Sequence, residues 1–138
     1  MSNMQLEALA EGLTIMTSDE GITMSAEVVT GDVNMVKVEI EDREEFPVFI
    51  TVNHDQILCT TYLWHENEVR ADKRSELLEA MLTMNLPMPL SSFGKVGDQY
   101  LIFGAMAINT GIKDIHQEIC TLSDNTLNAI EAMQDYLK

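Results

Sequence analysis

Residues 46–64 read FPVFITVNHDQILCTTYLW, two apolar runs separated by the polar triplet Asn53-His54-Asp55. Both runs are rich in β-branched and aromatic residues, which favour strands, and a short polar break between such runs is typical of a β-turn. The stretch therefore predicts two adjacent antiparallel strands, and the remaining elements can be assigned outward from them.

A further pair of β-rich runs precedes this hairpin, at residues 27–30 and 33–40. They flank Gly31-Asp32, where we expect a two-residue turn because glycine tolerates positive φ. An acidic loop at residues 41–45 then leads into Phe46. These runs predict an antiparallel meander of three or four strands, depending on whether residues 27–30 form one.

Helical periodicity appears before and after the meander. Apolar residues recur at intervals of three and four over residues 6–13 and 77–82, which predicts two amphipathic helices. Asp72 is the predicted N-cap of the second helix, and Asn85 with the following proline ends it.

The last third of the chain predicts a hairpin followed by a long helix. Gly97-Asp98 joins two apolar runs as a turn dipeptide. Beyond it an apolar stripe extends over residues 112–137, with Thr110 or Asn109 as the predicted cap. Such a stripe either covers a sheet or pairs with a partner helix.

The element order is therefore α-β(3–4)-α-β2-α, which predicts one α+β domain over residues 1–138 with helices packed on an antiparallel sheet. One layer of helices would leave the other face of the sheet to solvent or to a second subunit. We accordingly expect a homodimer.

Composition limits the partners. The chain has 23 acidic and 8 basic residues and a formal net charge of -15, which argues against nucleic acid and anionic lipid because both need a basic surface. The apolar runs are far shorter than the roughly 20 residues that cross a bilayer, so direct membrane insertion is not expected. The N-terminal residues lack the pattern of an export signal, and two isolated cysteines do not form a disulfide framework. These features predict a cytoplasmic protein.

The residue types that carry chemistry are not arranged as a known catalytic or metal motif. His54, His65 and His116 have no second histidine or cysteine at a zinc-ligand spacing. Cys120 follows His116 by one helical turn, but the acidic surroundings oppose a thiolate. We therefore predict no catalytic residue, no metal and no cofactor.

The chain resembles a known group of bacterial proteins at several short motifs distributed over its whole length. They are residues 87–94 (PMPLSSFG), 100–106 (YLIFGAM), 118–122 (EICTL) with Asn125 beyond, 46–47 (FP) and 56–58 (QIL). This pattern resembles the YjfI-like family, a domain of unknown function, which implies no catalytic residues. The element order is similar to that of type III secretion chaperones, small acidic cytoplasmic dimers that hold unfolded segments of client proteins. The family resemblance also implies a helical protein of the phage-shock-protein-A type as a candidate client.

The sequence thus predicts a non-enzymatic, chaperone-like protein-binding adaptor. Acidic residues would steer a basic or amphipathic partner, and large aromatic side chains would supply apolar contacts. The candidate binding residues are Phe49, Tyr62, Trp64, Phe93 and Phe103. The alternative is a small-ligand-binding protein or a small enzyme whose site combines scattered polar residues such as His54, His65 and His116.

Overall fold

A computed structural model describes residues 3–138, with side chains from Gln5 onward. Three α-helices and six β-strands follow one another in the order α-β4-α-β2-α, so the predicted order is confirmed and the meander has four strands. The helices are α1 (Asn3–Ile15), α2 (Arg74–Asn85) and α3 (Ile112–Met133). The strands are β1 (Met24–Val29), β2 (Met35–Ile40), β3 (Val48–Val52), β4 (Gln56–His65), β5 (Ser92–Val96) and β6 (Gln99–Ala107).

The strands form one antiparallel sheet in the spatial order β1-β2-β3-β4-β6-β5. Strands β1 to β4 are adjacent in the sheet because each connecting turn places the next strand beside the previous one. The second hairpin then joins through β6, which pairs with β4, so β5 is the edge strand opposite β1. The α+β class is therefore confirmed.

One face of the sheet is buried under the helices. In β2, Val36, Val38 and Ile40 are almost fully buried, as the two-residue period of a strand requires when one face is covered. The apolar stripe of α3 covers this face, with Ile119 and Leu122 completely buried. Each such side chain contributes roughly 1.5–3 kcal/mol on leaving water. The stripe therefore covers the chain's own sheet.

Helix α1 packs at the β1 edge of the sheet and against the start of α3. A Cβ atom on Gly12 would overlap the end of the Ile112 side chain, so an alanine there would have to displace that side chain. Thr14 lies against the β1 edge. Its hydroxyl accepts a hydrogen bond from the Ala26 N–H at 3.0 Å and donates one to the Ala10 carbonyl at 2.8 Å. The edge strand is thus blocked at Ala26 by a side chain.

Of the two predicted two-residue turns, the one at Gly97-Asp98 is confirmed and the one at Gly31-Asp32 is not. Gly97 has φ 54° and lies in a two-residue connection between β5 and β6, as predicted. The two-residue turn at Gly31-Asp32 is wrong, because β1 and β2 are separated by residues 30–34 and Gly31 is not left-handed. In that longer loop the Gly31 N–H donates to Asn34 Oδ1 at 3.3 Å, so a side chain holds the loop.

The predicted helix caps are also wrong. Asp72 lies in a 3₁₀ turn before α2 and accepts a hydrogen bond from Arg70, which leaves Lys73 as the N-cap. The α3 N-cap is Gly111, since the Thr110 hydroxyl donates back to the Ala107 carbonyl at 2.6 Å. The helix also ends at Met133, short of the end of the predicted stripe at residue 137.

Candidate functional site: the helix-free face of the sheet

The face of the sheet opposite the helices, called here the helix-free face, is uncharged over four adjacent strands. Side chains alternate between the two faces, and the pairing registers show which residues share this one. On β3, β4, β6 and β5 they are Phe49, Thr51, Gln56, Leu58, Thr60, Tyr62, His65, Gln99, Leu101, Phe103, Ala105, Ala107, Ser92, Gly94 and Val96. Acidic and basic residues appear on this face only at β1 and β2, where Lys37 lies 3.5 Å from Glu39.

Aromatic side chains form the centre of this face. The rings of Phe49 and Tyr62 lie 5.7 Å apart at 49°, a tilted pair typical of favourable aromatic contacts. Thr60 pairs with Phe49 on one side and with Phe103 on the other, so the two phenylalanines flank it across three strands. Tyr62 is 50% exposed. The face therefore presents an apolar surface with an accessible aromatic ring.

Gly94 shapes the β5 side of the face. A Cβ atom there would lie 3.1 Å from both Leu101 Cδ1 and Phe103 Cε1, tighter than ordinary van der Waals contact. The leucine and phenylalanine side chains therefore lie over the bare backbone of β5.

Of the five aromatic residues predicted to bind, Phe49, Tyr62 and Phe103 lie on the helix-free face, and Trp64 and Phe93 do not. Trp64 is two residues after Tyr62 and would share its face in a regular strand, but the register shifts between Tyr62 and His65. The irregularity turns Trp64 into the core, where its ring lies 6.1 Å from that of Tyr100. Phe93 is buried on the helix-covered face opposite Ile102.

A cluster of polar side chains around Glu66 lies just after the end of β4, close to Trp64. Glu66 Oε1 accepts hydrogen bonds from Arg74 Nη2 at 3.0 Å and from the Tyr100 hydroxyl at 3.1 Å, and Lys95 Nζ lies 3.1 Å away. The hydrogen bonds from Arg74, with help from Lys95 and Tyr100, hold the pKa of the Glu66 carboxyl at about 2. The carboxylate thus joins α2 to the β5–β6 hairpin, which is a structural role.

The three histidines do not form one site. His54 lies in the β3–β4 turn and His65 at the far end of β4, so about 30 Å of strand separates them. Only His116 is buried. Among the described side chains, no group of three or more His, Cys, Asp and Glu residues is arranged to hold a metal ion.

His116 lines a cleft of about 380 Å³ between α3 and the loop that follows α1. Its side chain is 6% exposed, its Nδ1 lies 3.9 Å from Cys120 Sγ, and its Nε2 is buried without a hydrogen-bond partner. Burial lowers the pKa of His116, and burial together with Asp124 raises the pKa of Cys120. The predicted proximity of the two side chains is therefore confirmed, but the pair favours a neutral imidazole and a protonated thiol, the unreactive state of cysteine.

Glu118 is a buried acid that the sequence prediction did not single out. It is 7% exposed on the sheet-facing side of α3, its carboxyl lies over Gly104 of β6, and burial raises its pKa. The signal was present, because residue 118 falls three residues after Ile115 and four before Leu122, within the apolar stripe. A glutamate on that stripe is buried by the same periodicity that buries its neighbours.

Comparison with known proteins identifies the family. The model of a family described as an uncharacterized protein conserved in bacteria, DUF2170, matches residues 3–137. The uncharacterized protein YjfI of Escherichia coli strain K12 is 26% identical over 112 residues, covering 78% of this chain and 83% of that protein. The protein of the same name in Escherichia coli O157:H7 matches to the same extent. No helix within residues 3–138 is long and apolar enough to cross a membrane. The chain therefore belongs to the DUF2170 family of uncharacterized bacterial proteins.

Proposed function

We propose that this protein is a non-enzymatic adaptor that holds an apolar segment of another protein on its helix-free face. The observation that carries the proposal is the uncharged surface of β3, β4, β6 and β5 in a chain with a net charge of -15. Burying a charge without a partner is costly, so a face without charges can be desolvated by a partner at little cost. The face also exposes an aromatic ring, since Tyr62 is 50% exposed, and exposed aromatic side chains are frequent at interaction sites.

The negative net charge of the chain favours a partner with basic residues. An acidic protein attracts basic segments and repels acidic ones, and this steering operates before contact is made. A segment with an apolar side and basic flanks matches both features, since the apolar side can cover Tyr62 and Phe103 while the flanks face the acidic periphery. An amphipathic helix has this composition, and a helical client of the phage-shock-protein-A type is the candidate from the family resemblance.

Substitution of Tyr62 tests this proposal. We expect Tyr62→Glu to reduce recovery of the partner from an extract of the native bacterium about tenfold, the effect of losing one central aromatic anchor. Tyr62 is half exposed, so the substitution leaves the core intact. Leu86→Glu is the matched control, because Leu86 is 93% exposed, follows α2 and belongs to none of the strands.

A photo-crosslinking residue at position 62 identifies the occupant, with position 86 as the control. A crosslink to a different protein at position 62 alone supports the adaptor function. A crosslink to a second copy at position 62 instead supports the predicted homodimer. Equal recovery by the wild type and Tyr62→Glu, with a monomer mass and no crosslink at position 62, would exclude the proposed function.

The His116 cleft favours a second candidate, the binding of a small polar ligand. A buried ring nitrogen without a partner is unusual in a folded protein and can mark a place where a ligand completes the hydrogen bonding. If this function is correct, one member of a metabolite panel should raise the melting temperature of the wild type by mass action, and His116→Phe should abolish the shift. A shift that survives His116→Phe would place the ligand elsewhere.

A further inference from the structure

A groove runs between α1 and the β1 edge, on the opposite side of the sheet from the helix-free face. Its volume is about 660 Å³, and it is open to solvent along its length. One helical stripe of α1 forms a wall, and two alternate residues of β1 form the floor. The lining residues are Glu7, Ala10, Glu11, Thr14, Ile15, Ala26 and Val28.

The floor of the groove is apolar and one large side chain is left uncovered. Ala26 on the floor and Ala10 at the foot of the α1 wall are small, so they leave room for an incoming side chain next to Val28. Ile15 at the end of the groove is 84% exposed. An apolar side chain from a partner would cover surface that the described part of the chain leaves in water.

The wall of the groove is acidic. Glu7 and Glu11 are one helical turn apart on the exposed side of α1, and like charges at this spacing destabilise a helix. Within the described side chains, neither carboxylate has a basic partner. Two positive charges at the same spacing on a partner would remove this repulsion and form ion pairs.

The hydrogen bonds at Ala26 determine how a partner can bind. A peptide that added a strand to β1 would need the outward-facing N–H of Ala26, which already donates to the Thr14 hydroxyl at 3.0 Å. Side-chain docking needs no such group. A helix next to α1 fits the groove, since the span from Glu7 to Ile15 is about 12 Å, or just over two helical turns.

From this apolar floor, the paired carboxylates and the blocked strand edge we infer a second docking site, which takes a basic amphipathic helix of a partner protein. Its apolar side chains pack on Ala26, Val28 and Ile15, and two lysine or arginine residues one turn apart pair with Glu7 and Glu11. The site is separate from the helix-free face, so an adaptor of this form can engage two segments at once.

A designed helical peptide tests the site. The probe is a 14-residue capped peptide of leucine and lysine with amphipathic spacing, titrated into isotope-labelled protein at 50 mM salt. We expect amide shifts to concentrate in α1 and β1, and we expect the double variant Glu7→Gln/Glu11→Gln to weaken binding about fivefold. Ile15→Ser should weaken binding about threefold, because it removes an apolar contact.

The matched control is Glu79→Gln/Glu131→Gln, which removes the same charge from exposed positions of α2 and α3. If the control weakens binding as much as Glu7→Gln/Glu11→Gln, the attraction is only to net charge and the inferred site is wrong. Amide shifts confined to the strands around Phe49 and Phe103 would also contradict the inferred docking site in the groove. They would leave the proposed function of the helix-free face intact. If none of these substitutions changes the affinity for the peptide, the inferred docking site in the groove is also wrong.

Discussion

Replacing Gly104 with alanine is expected to lower the free energy of unfolding by about 2–3 kcal/mol, as overpacking in a closed interior does. A Cβ atom on Gly104 would overlap the carboxyl of Glu118 and lie 3.0 Å from the carbonyl oxygen of Leu90. Neither atom can withdraw easily, because Glu118 is buried between α3 and β6 and the Leu90 oxygen belongs to a residue already at φ 62°. Urea denaturation of the variant measures the loss.

Gly31→Ala is the control for this substitution. The nearest atom to a Cβ at Gly31 is a backbone oxygen 3.9 Å away, which is ordinary contact. Its stability should therefore change by less than about 0.5 kcal/mol or improve slightly. The double variant Gly104→Ala/Glu118→Ala should recover part of the loss, since it removes one of the two overlapping groups. If Gly104→Ala costs no more than Gly31→Ala, α3 does not approach β6 as closely as described.

Glu118→Gln is expected to stabilise the protein at pH 7 by about 1 kcal/mol, which is roughly 3–5 °C in Tm for a chain of this length. Burial raises the pKa of Glu118 in the folded state above its ordinary value of 4.5. The folded state therefore binds this proton more tightly than the unfolded state. The stability linked to that proton is fully present below pH 4.5 and is lost as the pH rises through the folded-state pKa.

The dependence of Tm on pH separates this effect from a simple packing change. The thiol facing Glu118 is Cys59, whose pKa is raised to about 12 by burial, so it stays neutral over the range of interest. The wild type should gain stability relative to Glu118→Gln between pH 7 and pH 4. Glu131→Gln, at an exposed position of the same helix, should follow the wild-type curve. An equally lower Tm for Glu118→Gln at both pH values would show a simple packing change, and a loss that is larger at pH 7 than at pH 4 would show that the carboxyl makes a favourable contact in its ionised form.

The positions of the five aromatic candidates show what a local pattern can and cannot predict about which residues share a face of the sheet. Phe49, Tyr62 and Phe103 lie together because alternate residues of paired strands share a face. Trp64 should follow Tyr62 by that rule, but the irregularity in β4 moves it to the covered side. An irregularity of this kind arises from pairing with β6, a strand more than 30 residues away, and no local pattern contains that information.

The capping predictions failed for a related reason. Asp72 and Thr110 have the side chains that caps prefer, but each forms a hydrogen bond with another nearby group. Capping propensity says which side chains are preferred at an N-cap. It does not say which other hydrogen-bonding groups of the folded chain compete for the same side chain. The same limit explains Gly31, where an asparagine side chain stabilises a longer loop than the dipeptide predicts.

The sequence by itself determined the element types, their order and the α+β class, because hydrophobic periods of 2 and 3.6 residues are local properties of the chain. Its charge determined which partners are disfavoured, because the net charge depends on composition alone. Only the tertiary structure decided which sheet face the helices cover, that β6 pairs with β4, and that Glu118 lies over Gly104. Each of these depends on contacts between residues far apart in the chain, whose energies are set by mutual packing and shared burial.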